Sequence, residues 1–185
     1  TSSEAIQTPS VRIAGQNVTE TGDNMTWSAT YEMRDTDSEN QGSVSLNIVF
    51  FDLAGNPGIA IDNTTDGSVV RFDSIAPELD NVTIASNNTL YTTLAKTGDI
   101  ITLSITSSEA IQTPSVRIAG QNVTETGSET SWSAAYTMTN SNTEGSVILN
   151  IVFRYLAGNP GSVVTSTING SAVRFDKIVP THSNV

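Results

Sequence analysis

One phrase occurs twice in this chain, letter for letter: TSSEAIQTPSVRIAGQNVTETG fills residues 1–22 and again residues 106–127. A repeat distance of 105 residues is a whole domain rather than one hairpin or helix pair, so the chain folds as successive copies of one domain type. The likeness runs on past the identical phrase. Trp27, Tyr31 and Met33 match Trp132, Tyr136 and Met138. Residues 34–41 then hold two residues more than residues 139–144, among Asn, Ser, Thr, Asp and Gly, which is the composition of a surface turn. Beyond it the offset is 103. Leu53-Ala54-Gly55-Asn56-Pro57-Gly58 matches Leu156-Ala157-Gly158-Asn159-Pro160-Gly161, and Val70-Arg71-Phe72-Asp73 matches Val173-Arg174-Phe175-Asp176.

The repeat begins after Asp73, at Ser74-Ile75-Ala76-Pro77, and Lys177-Ile178-Val179-Pro180 restarts the same phrase. Residues 1–73 therefore read as an incomplete repeat that lacks its first strands, residues 74–176 as a complete one, and residues 177–185 as the opening of a third. The expectation is a window on a longer polypeptide. The alternative is an open domain completed by strands from another chain.

Within the complete repeat, apolar residues recur every second position. Val82 and Ile84 mark a first strand; Ile101, Leu103 and Ile105 a second; Val116 and Ile118 a third. A short strand is expected over residues 122–125 and a turn at Thr126-Gly127-Ser128. Trp132, Ala134, Tyr136 and Met138 share one face, as do Val147, Leu149, Ile151 and Phe153. A last strand over residues 163–175 breaks near Asn169-Gly170, and residues 86–98 read as loop. The pattern predicts an all-β fold: tandem Ig-like β-sandwich domains with Greek-key topology, about seven strands each. Trp132, Tyr136, Phe153 and Phe175 are its expected core anchors.

The net charge of −11 argues against nucleic acid and anionic membrane surfaces as partners. With no Cys, disulfides and thiolate metal sites are excluded. His182 is the lone histidine and lies in the tail, and neither a phosphate-binding loop nor an HExxH sequence is present, so an enzyme is not expected. Asn17, Asn24, Asn63, Asn81, Asn87, Asn122 and Asn169 each open an N-x-[ST] sequon, in a chain rich enough in Asn, Ser and Thr for several to arise by chance.

The phrases Asp73-Ser74-Ile75-Ala76-Pro77, Ser108-Glu109-Ala110-Ile111 and Asp52-Leu53-Ala54-Gly55-Asn56 resemble those of the bacterial Ig-like repeats of large surface proteins and adhesins. The resemblance implies an extracellular, cell-surface stalk or adhesin segment, with Ca²⁺ at domain junctions. Ca²⁺ takes six to eight oxygen ligands. The candidates are Glu4, Asp52 and Asn56 in the first copy, Glu109 and Asn159 in the second, and Asp73, Glu78 and Asp176 in the linking segments. Tyr155 stands where the first copy has Asp52. The expected function is a structural repeat of an extracellular fibre, stalk or adhesin, its partners being neighbouring copies of the same repeat. The alternative is a module that binds carbohydrate or a host protein through its inter-strand loops.

Overall fold

Most of the alternation with period two becomes strand, and among the described residues there is no α-helix. The computed structural model describes residues 1–182, apart from the side chains of residues 38–40, so the end of the expected third repeat lies outside the described residues. The chain divides into two units, Thr1–Ser74 and Ile75–Val185.

The first unit carries β1 (Ser10–Ile13), β2 (Gln16–Asn17), β3 (Glu20–Asp23) and β4 (Thr26–Ala29). A 3-10 turn follows at Asp35–Asn40, then β5 (Gly42–Ser43), β6 (Leu46–Val49) and β7 (Arg71–Phe72). They pair as β2-β1-β6, β3-β4 and β5-β7.

The second unit adds three strands in front of the same set: β8 (Leu79–Ser86), β9 (Leu94–Ala95) and β10 (Ile100–Ser107). Then come β11 (Ser115–Ile118), β12 (Gln121–Asn122), β13 (Glu125–Ser128), β14 (Ser131–Thr137), β15 (Gly145–Ser146), β16 (Leu149–Val152) and β17 (Arg174–Phe175). One sheet has the order β13-β14-β10-β8, and across from it runs β12-β11-β16. This is the division of strands in an immunoglobulin-type sandwich, with Val164 joining the second sheet through a bridge to Ile151.

Alternation decides which face is inside. Ile101, Leu103 and Ile105 are buried while Thr102 and Ser104 face water. Across the sheet Leu103 stands opposite Ile84 and Ala134, and Ile105 opposite Val82. Val116, Ile118, Ile151 and Phe153 of the other sheet join the same buried cluster. Each such side chain contributes about 1.5–3 kcal/mol relative to exposure. Of the four expected aromatic anchors, Phe153 and Phe175 are buried in this cluster, and Trp132 and Tyr136 pack against its edge.

Several boundaries differ from the sequence reading. Thr126-Gly127-Ser128 is not a turn but strand, because β13 pairs with β14 as far as Ser128–Ser131; the turn follows at Glu129 and Thr130. Residues 86–98 are not all loop, since β9 runs parallel to β17. The apolar run from Val147 to Phe153 divides because the chain changes partner: β15 pairs with β17, then β16 with β11. Residues 163–175 keep only the Val164 bridge and β17. The second unit thus has ten strand segments among the described residues where about seven were expected, four of them two residues long.

The duplicated phrase builds the same corner twice. The Val11 N–H donates to the Glu20 carboxylate at 2.6 Å, and the Val116 N–H to Glu125 at 2.6 Å. Arg12 Nε donates to Asn17 Oδ1 at 2.8 Å, and Arg117 Nε to Asn122 Oδ1 at 2.8 Å. Glu125 thus ties β13 of one sheet to β11 of the other.

Gly127, with φ of 146°, lies so close to the returning strand that a Cβ would sit 2.2 Å from Ser131 O and 2.8 Å from Trp132 Cα. Gly127→Ala is expected to lower stability by more than about 2 kcal/mol, because the clash adds to the backbone penalty of its positive φ. Gly158→Ala meets no atom within 4 Å, so it is expected to lose only the left-handed backbone penalty of about 1–2 kcal/mol. Denaturant titration of both variants checks the order; equal losses would remove the clash from the explanation.

Candidate functional site

The first unit has counterparts of β11 to β17 and none of β8, β9 or β10. The effect is visible on a strand whose sequence hardly changes. Ser131-Trp132-Ser133-Ala134-Ala135-Tyr136 lies in β14, seven residues long and paired on both edges, to β13 and β10. Thr26-Trp27-Ser28-Ala29-Thr30-Tyr31 gives only the four residues of β4, paired to β3 alone. Propensity is nearly the same in both; the missing neighbour shortens the strand.

The apolar faces differ in the same way. Ile118, Ile151 and Phe153 are buried, whereas their equivalents Ile13, Ile48 and Phe50 are only partly covered. Val173 is 1% exposed and its equivalent Val70 is 69% exposed. Together with Trp27, Leu46 and Ile61, the partly covered residues line a cleft of about 870 Å³ lying wholly within the first unit.

Polar groups around the cleft repeat the ones that hold β8 in the second unit. There, Ile168 N–H donates to Val82 O at 3.1 Å and Ile84 N–H donates to the Ser171 hydroxyl at 2.9 Å. The loop carrying them is closed by Thr167 Oγ1 donating to Ser171 O at 2.6 Å. Thr64 Oγ1 closes the first unit's loop onto Ser68 O at the same 2.6 Å, so Thr65 and Ser68 stand where Ile168 and Ser171 do. Trp132 Nε1 donates to Glu129 O at 3.0 Å, but the buried Trp27 Nε1 has no hydrogen-bond partner.

Within their units the expected calcium ligands make local hydrogen bonds. Asp52 accepts from the Asn56 side chain and backbone N–H, both at 2.8 Å, and these bonds hold its carboxyl below the usual range. Glu4 and Glu109 each accept on the backbone carbonyl, from Ser2 Oγ at 2.5 Å and Ser107 Oγ at 2.6 Å. Glu78 O accepts from Ser108 N–H at 2.9 Å, and Glu78 N–H donates to the Ser108 hydroxyl at 3.2 Å. Asp176 Oδ1 accepts from Ile178 N–H at 2.9 Å, and Asn159 offers its backbone carbonyl to Tyr155 N–H at 3.1 Å. Asp73 is partly buried at the end of the first unit. Tyr155 is a packing residue, 3% exposed. Among the described residues no group of three or more His, Asp or Glu side chains converges. Among the sequon residues, Asn17 and Asn122 hold arginines, and Asn87 Oδ1 accepts from Ile100 N–H at 2.7 Å.

The variable turn hides a fixed element. Asp37 is buried, accepts from Tyr31 at 3.0 Å, and accepts from Arg34 N–H at 2.8 Å. Asn142 Oδ1 likewise accepts from the Tyr136 hydroxyl at 3.3 Å and from Thr139 N–H at 2.7 Å. Burial first, then the Asp37 contact, pushes the Tyr31 hydroxyl up. The signal in sequence was the common six-residue spacing from tyrosine to the anchor, which the difference in turn length obscured. Asp99 is a third anchored acid. Partial burial pushes its carboxyl up, but Lys96 N–H at 2.9 Å, Asn88 Nδ2 at 2.8 Å and the Lys96 charge outweigh that and hold it down.

No protein-family model, curated protein or solved structure matches the chain. The fold and the cleft therefore carry the functional reading by themselves.

Truncating equivalent residues tests the difference between the units. Ile151→Ala, in the closed core, is expected to destabilise its unit by about 2–5 kcal/mol. Ile48→Ala, on the cleft wall, removes a side chain that is already partly wet and is expected to cost less than half as much. Residue-resolved hydrogen exchange of the full chain reads the two units separately; equal effects would show that the first unit's core is closed in solution.

Proposed function

We propose that this chain is a structural repeat segment of an extracellular fibre, stalk or adhesin in which Ig-like units follow one another in series. The observation that supports it most is the doubled corner: one stretch, identical in sequence, forms the same strands and the same Glu20–Val11 and Glu125–Val116 bonds in both units. Its constant loops suit a repeated scaffold more than dedicated binding loops, because residues 2–8 and 107–113 do not differ. Neighbouring copies of the repeat are its partners. The acidic balance of −11 disfavours nucleic acid, and no helix among the described residues is long and apolar enough to cross a membrane.

The intact mass of unproteolysed native material is expected to lie far above 19.5 kDa, as a covalent array requires. A native mass at that value would remove the array. Calcium enters through the family resemblance and belongs to junctions between units, where its role would be to stiffen the array. The expected outcome is a solution-scattering profile that broadens on adding a chelator; superimposable profiles would discard calcium and leave the array standing.

A further inference from the structure

The loop after Val164 in the second unit holds the one Asn-Gly pair of the chain, Asn169-Gly170. Both residues are exposed. Gly170 has a left-handed φ of 75°, and a Cβ there would meet no atom within 4 Å, so the turn is open on that side. In the first unit Gly67 N–H donates to Thr64 O at 3.4 Å; among the described residues Gly170 N–H makes no such bond to Thr167.

An asparagine followed by glycine can react with its own main chain. The Gly170 nitrogen loses its proton to solvent and attacks Cγ of Asn169. The side-chain nitrogen takes up a proton and leaves as ammonia, and a five-membered succinimide closes. Water then opens the ring. Opening at Cγ leaves aspartate; opening at the main-chain carbonyl leaves isoaspartate, with one methylene more in the backbone. During the attack negative charge gathers on Asn169 Oδ1, and this oxygen already accepts from Ser171 N–H at 3.0 Å. A donor fixed at that atom stabilises the developing anion, as in an oxyanion hole. Ser171 is itself held on two sides. Thr167 Oγ1 donates to its carbonyl at 2.6 Å, and its hydroxyl accepts from Ile84 N–H at 2.9 Å.

The first unit shows that aspartate fits this turn. Asp66-Gly67-Ser68 stands where Asn169-Gly170-Ser171 does. Asp66 Oδ1 accepts from Ser68 N–H at 2.9 Å, and Thr64 closes the loop as Thr167 does. The Ser68 N–H, followed by the Ser68 hydroxyl, holds the Asp66 carboxyl below its usual range, so the turn favours the ionised acid. Isoaspartate fits less well, because its extra methylene would shift Ser171 away from Thr167 and Ile84.

We propose that Asn169-Gly170 is a self-modifying site, where the folded turn promotes closure to the succinimide and returns aspartate, the residue type that the first unit carries at Asp66. The reactants are the chain and water; the products are ammonia and a chain with one more carboxylate. The inference is independent of the part the repeat plays in an array.

The 185-residue chain is incubated at mildly alkaline pH, folded and in denaturant, and peptide mapping by mass spectrometry follows each asparagine. In the folded chain Asn169 is expected to exchange its amide for a hydroxyl about tenfold or more faster than Asn140, which also precedes a small residue. The folded chain is expected to react at least as fast as the denatured one, and to give mostly aspartate. Hydroxylamine, which cleaves succinimides, is expected to split the folded chain between Asn169 and Gly170. Thr167→Ala, which releases one tie on Ser171, is expected to slow the folded reaction about threefold or more and to leave the denatured rate unchanged. A parent chain that reacts more slowly folded than denatured overturns the inference, since the turn would then hinder the attack. So does isoaspartate as the main folded product, or a folded rate that Thr167→Ala does not change.

Discussion

Burying Ile101, Leu103 and Ile105 requires two things together: a hydrogen-bonded neighbour on each edge of β10, and an apolar face across from it. The second unit supplies both. β8 and β14 satisfy the backbone of β10, and β11 and β16 close over its side chains. Without the edges the strand would carry unpaired N–H and C=O groups into an apolar interior; without the opposite face its branched side chains would stay wet. Gross burial of about 1.5–3 kcal/mol for each such residue is large against a domain's net stability of about 5–15 kcal/mol. That is why one absent strand pair changes the surroundings of so many residues in the first unit whose own sequence is unchanged.

What survives that absence is instructive. The corner formed by β1, β2 and β3 keeps its bonds because they are made within the duplicated stretch itself. The tyrosine anchor in the variable turn also survives, although an aspartate in one unit becomes an asparagine in the other. Either residue supplies an acceptor for the turn N–H, so the geometry is kept while the charge is not. Contacts that depend on β8 to β10 behave differently. Val70 keeps its place in the sequence but loses its cover.

Much of the fold was legible because alternation in Ile101–Leu103–Ile105 and Val116–Ile118 reports directly on which face is buried. Other features were out of reach for physical reasons. β9 carries no alternation, being two residues recruited by β17. Gly127 looked like a turn residue, yet it sits in a strand because only glycine fits that close against Ser131 and Trp132. Asp37 was read as part of a solvated turn, since burial of a carboxylate is not marked in sequence until its tyrosine partner is placed. The proposed calcium ligands were chosen by chemistry and loop position. Their hydrogen bonds within each unit, such as those Asp52 accepts from Asn56, depend on loop geometry that the sequence does not mark.

The doubled stretch has a consequence for how the chain reaches its fold. Its bonds join residues close in sequence, nine apart for Glu20 and Val11, so the two corners form early and independently of the long-range sheets. Afterwards each corner must find its own β6 or β16, through contacts such as Ile6 with Asp52 and Ile111 with Tyr155. Side-chain chemistry on the corner cannot make that choice, because the corners are the same. Connectivity makes it, through the smaller entropy of closing the shorter loop. Doubling a stretch without changing a letter therefore leaves mispairing between neighbouring units to be prevented by chain length alone.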